Sequence, residues 1–389
     1  MNAAESYKGL PDEQKCTACG ACVQACSRKC LKLDAGILNV DANICVRCGA
    51  CTKVCPIINL DKIVFRKPQK AFASWALDPK ERKSSASGGM ASVFYRYAAE
   101  HQWKFCGAAC NQDLLPYLKL TDVQADISKF KGSKYVHAST ENVFHEIKRA
   151  LQLGEYVLFI SVPCQVAALK QVVGNSNEKL ISVDIVCHGV PDSFLLKEYI
   201  ELRKENETPT MLFFRDENVF GFSLRDKNNS VIYEREGRTD EYMAAFLEGL
   251  SYREACYGCN FARPERISDI TICDFWGLGA EMPFDHPYTG AISAVLINTE
   301  KGRSFFEKCK KYVFCEERPV SEAIKGNAQL NSPTQEHPLR ELYLELKEKE
   351  GFTVAVRKCL GKEMKIEGKQ LRKRKVRKCL SSIKHFFIP

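Results

Sequence analysis

The chain has 389 residues, of which 45% are apolar and 27% are charged. That length exceeds what one hydrophobic core usually holds, so we expect two or three domains. The formal net charge is +9, but residues 357–389 alone carry 12 Lys and Arg against 2 Glu, and the remainder sums to −1. A neutral body with a basic tail at residues 356–389 argues against a protein that binds nucleic acid across its whole surface.

The sequence also argues against a membrane or secreted protein. No apolar run approaches the roughly 18 residues that a membrane span needs. Residues 1–15, MNAAESYKGLPDEQK, are polar and have no signal-peptide pattern. We therefore expect a cytoplasmic protein, in which clustered cysteines bind metal more often than they form disulfides.

Nine of the 20 cysteines fall between residues 16 and 55, and eight of them form two runs of the pattern C-x2-C-x2-C-x3-C. In bacterial two-cluster ferredoxins, three cysteines of a run bind one [4Fe–4S] cluster and the fourth binds the other. The spacing predicts one cluster on Cys16, Cys19, Cys22 and Cys55. It predicts a second on Cys45, Cys48, Cys51 and Cys26.

Zinc is the alternative for cysteines at C-x2-C spacing, but a zinc site needs four ligands rather than two tandem runs of four. Cys30 is an extra thiol, which we interpret as a packed residue or, alternatively, as a substitute ligand. Pro68 and the charged stretch FRKPQK predict a linker. We therefore expect residues 1–67 to form an α+β ferredoxin domain of the two-cluster bacterial type.

From Ala71 onward, predicted strands alternate with predicted helices. EYVLFISVPCQVAALKQVV and KLISVDIVCHGVPDSFLLKEYIELRKE each indicate a strand, a turn and a helix, which predicts an α/β body with a largely parallel sheet. Residues 211–236 alternate around a turn at Asn228–Asn229 and predict a hairpin insertion. Ligands gather at the carboxyl ends of parallel strands, where Cys164 and Cys187 are expected to lie.

A further pair, Cys256 and Cys259, forms a lone C-x2-C motif. Such a motif is often structural or zinc-binding, and an isolated Cys164 or Cys187 is often a small buried residue. Together the four thiols reach the number that a third [4Fe–4S] cluster needs.

The order of the motifs resembles the beta-subunit family of coenzyme F420 hydrogenases and dehydrogenases, in the form with an N-terminal two-cluster ferredoxin domain. The matching stretches are ASGGM (86–90), KGSKYVHAS (131–139), SVPCQVAAL (161–169), DIVCHGVPD (184–192), REACYGCNFA (253–262) and DITICDFWG (269–277). The resemblance implies a family N-terminal domain at residues 68–150 and a C-terminal domain at 151–355.

The resemblance also implies an FAD-dependent flavoprotein with a third cluster, on Cys164, Cys187, Cys256 and Cys259, beside the flavin. Its substrate would be coenzyme F420 or another cyclic organic acceptor or donor, whose identity the family does not fix. For the FAD phosphates we predict the turn Ser87, Gly88 and Gly89 ahead of a helix, with a plain helix start as the alternative.

A second predicted flavin segment is Lys131, Gly132, Ser133, Lys134 and Tyr135, with a solvated turn as the alternative. His188, at a strand end, is the candidate catalytic residue that could donate to a flavin or a substrate. An ordinary hydrogen-bonded core histidine is the other interpretation.

These observations predict an oxidoreductase that moves electrons between ferredoxin-type clusters and FAD, and between FAD and an organic substrate. The alternative is an electron-transfer adaptor without a substrate of its own. The expected partner is ferredoxin or another redox protein, and not nucleic acid. The eight cations of residues 365–378, ahead of Phe386-Phe387-Ile388, predict an acidic partner or the inner face of an anionic membrane, unless the tail is merely solvated.

Overall fold

The computed structural model describes residues 9–34, 36–175, 177–215 and 220–386, with residues 377–386 described for the backbone only. The chain divides into two compact units. The first takes Met1–Leu195 and Arg253–Thr334, and the second takes Leu196–Tyr252 and Gln335–Pro389. These units differ from the domains that we expect from the sequence. The boundaries of those domains stay a prediction.

The cysteine-rich segment of the first unit is a small α+β arrangement. Strands β1 (Leu31–Asp34) and β2 (Ile37–Val40) form an antiparallel hairpin. Helices α1 (Ala21–Ala25) and α2 (Ala50–Lys53) each begin within a cysteine run. Gly20 and Gly49 start these helices with φ of 78° and 74°, a left-handed conformation that glycine adopts without strain. The two cysteine runs therefore repeat one local structure.

The remaining strands form two further sheets. They are β3 (Lys70–Ala76), β4 (Lys104–Cys110), β5 (Pro116–Thr121), β6 (Val157–Ser161), β7 (Leu180–Ile185), β8 (Met211–Arg215), β9 (Phe220–Arg225), β10 (Val231–Glu236), β11 (Ile270–Asp274), β12 (Ser293–Ile297) and β13 (Val313–Arg318). An eight-stranded sheet of order β13-β3-β12-β11-β7-β6-β4-β5 lies in the first unit. The three-stranded sheet β10-β9-β8 lies in the second.

The prediction of a largely parallel sheet is wrong, because the large sheet is mixed. Its parallel block is β4-β6-β7-β11, held by three parallel pairs. The other four pairs are antiparallel: β4 with β5, β11 with β12, β12 with β3, and β3 with β13. The five residues between β4 and β5 are too few for a crossover, so β5 must run back beside β4.

Helices flank the strands in chain order, and three of them lie where the sequence predicts a helix. They are α3 (Pro79–Lys83), α4 (Met90–Glu100), α5 (Ile127–Phe130), α6 (Val143–Gln152), α7 (Pro163–Val173), α8 (Ser193–Arg203), α9 (Glu241–Leu247), α10 (Glu254–Tyr257), α11 (Glu300–Cys309), α12 (Val320–Gly326), α13 (Arg340–Glu350) and α14 (Phe352–Phe386). Helices α4 and α7 follow the Gly-rich turn and the Pro163–Cys164 turn, as expected.

The cysteine-rich segment shares a hydrophobic core with the body of the first unit. Cys19 and Ala21 are buried with residues of β4, β6, α6 and α7, and Val54, Ile57, Leu60, Ile63 and Phe65 pack against the same cluster. The backbone N–H of Phe144 donates to Oε1 of Gln24 at 2.9 Å. The expected linker also pairs with the body, since Arg66 and Arg266 exchange backbone hydrogen bonds of 2.8 and 2.7 Å.

The second unit contains the expected insertion, which forms a three-stranded sheet rather than a single hairpin. Strands β9 and β10 turn at Asn229, which has a φ of 65°, and β8 pairs with the other side of β9. Residues 216–219 of the insertion lie outside the described residues. The basic tail continues α14 to Phe386, while Phe387 and Ile388 lie outside the described part. Within that described part, no helix is both long and apolar enough to cross a membrane.

Candidate iron–sulfur and cofactor site

The parallel block brings several predicted site residues to one edge of the large sheet. Strands β6, β7 and β11 run in the same direction, so their carboxyl ends meet. Cys164 begins α7 just after β6, Cys187 follows β7, and Asp274 ends β11. The expectation that Cys164 and Cys187 lie at carboxyl ends of parallel strands is confirmed.

Cys256 and Cys259 join Cys164 and Cys187 at this edge. Burial raises the pKa of Cys164 far above its usual value, and the nearby thiols of Cys259, Cys187 and Cys256 raise it further. Burial also raises the pKa of Cys187 to about 12, again with Cys256 and Cys259 in its surroundings. The fold therefore gathers four thiols from three separate stretches of sequence, as the resemblance implies.

The first cysteine run is completed by a cysteine from the second. Burial raises the pKa of Cys19 to about 12, with additional repulsion from Cys16 and Cys55. The pKa of Cys22 is raised in the same way by burial and by Cys19, Cys16 and Cys55. Cys55 of the second run thus lies near Cys19 and Cys22, as the crossed arrangement requires.

Cys26 lies on the side of the second run. Its Sγ is 3.3 Å from Sγ of Cys30. Burial raises the pKa of Cys30 to about 12, and hydrogen bonding to Cys26 and to Cys45 raises it further. Cys51 packs in the same small core as Cys30, whereas Cys48 is exposed. Cys30 therefore contacts two predicted ligands, Cys26 and Cys45. Its interpretations as a packed residue and as a substitute ligand both stay open.

The donor sets consist of four cysteine thiols each, which is the ligand chemistry of a [4Fe–4S] cluster. Among the residues that the structure describes, no three His, Cys, Asp or Glu side chains are grouped so that they could hold one metal ion. Zinc requires four ligands that converge on a single ion. In a [4Fe–4S] cluster each thiolate binds a different iron, so the sulfurs stay apart. Bound iron would also favour the thiolate form in these buried sites.

A buried arginine supports the third thiol group. The side chain of Arg266 is 2% exposed and its Nη2 lies 3.0 Å from Oδ2 of Asp184, which is fully buried. Nη1 of Arg266 donates to the carbonyls of Phe261 and Arg263 at 3.1 and 3.0 Å, in the loop directly after Cys259. Arg266 thereby fixes the loop that carries Cys259. The sequence analysis missed it, because nothing in the stretch ARPERISD distinguishes Arg266 from Arg263.

The same guanidinium acts on the thiols electrostatically. Burial raises the pKa of both Cys187 and Cys259, and the positive charge of Arg266 opposes this rise. A permanent cation beside the group lowers the energy of thiolates and of any electron that the site accepts.

The first and third thiol groups are neighbours. Cys19 belongs to the same hydrophobic cluster as Cys164 and Cys259. The Cys19 thiol is also one of the groups that raise the pKa of Cys164, after burial and the nearer thiols Cys259 and Cys187. No sequence pattern predicts this proximity, because it depends on the packing of segments that are distant in the sequence, such as α1 against α7.

The predicted phosphate turn lies at the same edge of the sheet, where β3 ends and β12 begins. The N–H of Gly88 donates to Oγ of Ser293 at 3.0 Å, and a Cβ at Gly88 would lie only 2.4 Å from the carbonyl oxygen of Ser74. Gly89 starts α4 with a φ of 88° and without a side-chain cap. Close packing at position 88 and the left-handed backbone at position 89 therefore explain the two glycines without a ligand. The hydroxyl oxygens of Ser87 and Ser293 are 3.2 Å apart.

The second predicted flavin segment comes next to the first. Nζ of Lys131 donates to Oγ of Ser84 at 2.6 Å, in the loop that leads to Ser87. Nζ of Lys134 instead donates to the carbonyls of Lys131, Lys129 and Gly132 at 2.7, 3.1 and 3.3 Å. Burial lowers the pKa of Lys134 to about 8. Lys131 is thus better placed than Lys134 to bind a phosphate, while Gly132, Ser133 and Tyr135 are half-buried in the same loop.

His188 lies beside the third thiol group, directly after Cys187. Its ring is 5.4 Å from that of Trp276, in an edge-to-face arrangement. Burial lowers the pKa of His188, although the nearby Asp274 partly offsets this shift. The imidazole is therefore neutral near pH 7, with one ring N–H available to donate. Thr334 holds the backbone at this position by donating from Oγ1 to the His188 carbonyl at 2.6 Å.

Two family models match parts of this chain. Residues 154–323 match the model of the C-terminal part of the coenzyme F420 hydrogenase/dehydrogenase beta-subunit family. Residues 15–58 match a 4Fe-4S dicluster domain. No curated protein matches the sequence.

A solved structure is similar over most of the chain. It is a chain of the xenon-derivatised F420-reducing [NiFe] hydrogenase complex from Methanosarcina barkeri, with 16% sequence identity and a TM-score of 0.42. The alignment covers 73% of this chain and 94% of that chain. The two matches show that residues 154–323 are similar to the C-terminal part of the coenzyme F420 hydrogenase/dehydrogenase beta-subunit family, and that this part follows a 4Fe–4S dicluster domain at residues 15–58.

Proposed function

We propose that this chain is an iron–sulfur flavoprotein oxidoreductase, in which the ferredoxin segment and the body exchange electrons within one compact unit. The observation that carries this proposal is the burial of Cys19 in the same core as Cys164 and Cys259. Electron transfer between centres needs proximity, and this shared core provides it without any movement of a domain. A detached ferredoxin segment would have no such contact.

Twelve cysteines would hold three [4Fe–4S] clusters, which supply one-electron transfer when bound. The sets are Cys16, Cys19, Cys22 and Cys55; Cys26, Cys45, Cys48 and Cys51; and Cys164, Cys187, Cys256 and Cys259. The first two sets are supported by the dicluster match. The third is supported by the mutual proximity of its buried thiols and by the loop that Arg266 fixes.

Ser87, Gly88, Gly89 and the segment Lys131–Tyr135 would contact FAD, which supplies the conversion between one-electron and two-electron chemistry when bound. Two observations support this assignment. Lys131 and the Ser87 turn are adjacent through Ser84. The turn also lies at the same sheet edge as Cys164 and Cys187, where α/β proteins bind ligands.

His188 would position or protonate a small organic substrate at this edge, through its single ring N–H. The substrate would be coenzyme F420 or another cyclic acceptor or donor. His188 is half-buried and Trp276 is 46% exposed, so this edge is open to solvent beside the thiol group. The adaptor alternative, in which the chain serves only a partner enzyme, would need no such opening.

The test of the flavin is its retention after anaerobic purification. We expect the wild type to retain about one FAD per chain, identified by its absorption and by its release on denaturation. The Lys131→Glu variant should lose most of this FAD, because the change places a carboxylate next to the predicted phosphates. Lys308→Glu, an equal charge change on α11, is the control. A wild-type protein that neither retains nor takes up added FAD would favour the adaptor.

We also propose that the basic tail binds an acidic partner or the anionic inner face of a membrane. Its side chains from Arg372 to Val376 are exposed on α14, and each cation near an anionic surface contributes about 1 kcal/mol. Co-sedimentation with anionic liposomes at low salt should decide between the two. Equal sedimentation of the full chain and of a chain ending at Gly361 would contradict the membrane version.

A further inference from the structure

The second cysteine run lies at a surface, in contrast to the first. Cys48 is exposed, whereas Cys19 and Cys22 are buried. Next to Cys48, Val46 is 61% exposed and Ile44 is 43% exposed. Exposed apolar side chains next to a predicted redox centre are typical of a surface that binds a partner transiently.

A cationic loop adjoins these apolar residues. Cys26 and Cys30 flank the exposed Ser27, Arg28 and Lys29, and the Cys30 thiol interacts with both Cys26 and Cys45. The thiol contacts thus hold residues 27–29 beside residues 44–48. We call these two loops together the second-cluster face.

The second-cluster face is positively charged. Its exposed charged side chains are Arg28, Lys29 and Arg47, and residues 26–55 carry five cations against two carboxylates. The surroundings of Cys16 in the first run are of mixed charge, because the cation Arg253 and the anions Glu13 and Asp12 all lie near its thiol. The second-cluster face thus combines exposed apolar side chains with a cationic rim.

We propose that the second-cluster face binds an acidic one-electron carrier protein of the small iron–sulfur type. The proposal rests on the proposed function, since it assumes that Cys26, Cys45, Cys48 and Cys51 hold a cluster. One electron crosses the interface: the carrier is oxidised by one electron, this chain is reduced by one electron, and no bond forms or breaks. Charge complementarity would orient the carrier with its centre toward the exposed Cys48.

The test compares two charge-reversal variants of the whole chain. Arg28→Glu/Arg47→Glu changes the second-cluster face. Lys308→Glu/Lys311→Glu makes the same change in net charge at exposed positions of α11 and the turn after it, on the β13 side of the sheet. The probe is an acidic two-cluster bacterial ferredoxin, and the readout is its dissociation constant under anaerobic conditions at low and at moderate salt.

We expect the face variant to weaken ferredoxin binding about tenfold or more at low salt, with the control within about twofold of wild type. Added salt should weaken wild-type binding more than binding by the face variant. Iron content and reduction by dithionite should match wild type in both variants, because no ligand is changed. Two results would contradict the proposed docking face: equal effects of the two variants on binding, or no binding by the wild type at low salt. Neither result bears on the iron content, so the proposed function would stand. If this chain instead contained no iron but bound ferredoxin with the expected difference between the variants, the proposed function would be contradicted.

Discussion

Replacement of Arg266 by methionine should lower the free energy of unfolding by about 3–5 kcal/mol, because it leaves the Asp184 carboxylate buried without its cation. Both side chains are almost fully buried and lie 3.0 Å apart. The change also removes the hydrogen bonds to the carbonyls of Phe261 and Arg263. Denaturant unfolding of the variant and of wild type would measure the difference.

Arg263→Met is the matched control, because Arg263 is 43% exposed and its ion pair with Glu265 is exposed to solvent. Its loss should cost less than about 1 kcal/mol. The double variant Arg266→Met/Asp184→Leu should recover part of the loss, since it removes both buried charges. If Arg266→Met costs no more than Arg263→Met, the guanidinium does not hold this loop.

A chain that begins at residue 68 should fail to form a stable, soluble body. The deletion uncovers apolar residues of α6 and α7 that now pack against Cys19, Ala21 and their neighbours. Each buried aliphatic or aromatic side chain contributes about 1.5–3 kcal/mol, and a whole domain is stable by only about 5–15 kcal/mol. Soluble yield and thermal unfolding would measure the effect.

The matched control for this deletion is a chain that ends at residue 376, which leaves that core intact because none of its residues lies beyond residue 376. Two results would contradict the shared core. One is a body from residue 68 that unfolds at the wild-type temperature. The other is equal loss of solubility in both truncations.

The sequence was sufficient for features that depend on local spacing. Tandem C-x2-C-x2-C-x3-C runs require the fourth thiol to come from the other run, and Cys55 indeed lies with Cys19 and Cys22. The short turns after β6 and β7 likewise placed Cys164 and Cys187 at one edge. These positions follow from chain geometry over a few residues.

Features that depend on packing between distant segments could not be predicted from the sequence. The return of β12 beside β11 makes the sheet mixed, although each strand alone resembles a parallel one. Lys134 has the composition of a phosphate ligand, but its ammonium binds carbonyls of its own loop. Arg266 becomes important only through its buried partner Asp184 on another strand.

The iron content of anaerobically purified Cys256→Ser tests the proposed third cluster in the body most directly. Wild type should contain about 12 Fe per chain and Cys256→Ser about 8, with the signals of the ferredoxin clusters unchanged. Cys315→Ser, a change at a half-buried cysteine in β13 outside the three sets, should keep the wild-type iron content. Equal iron in wild type and Cys256→Ser, or one zinc per chain in place of iron, would contradict the account.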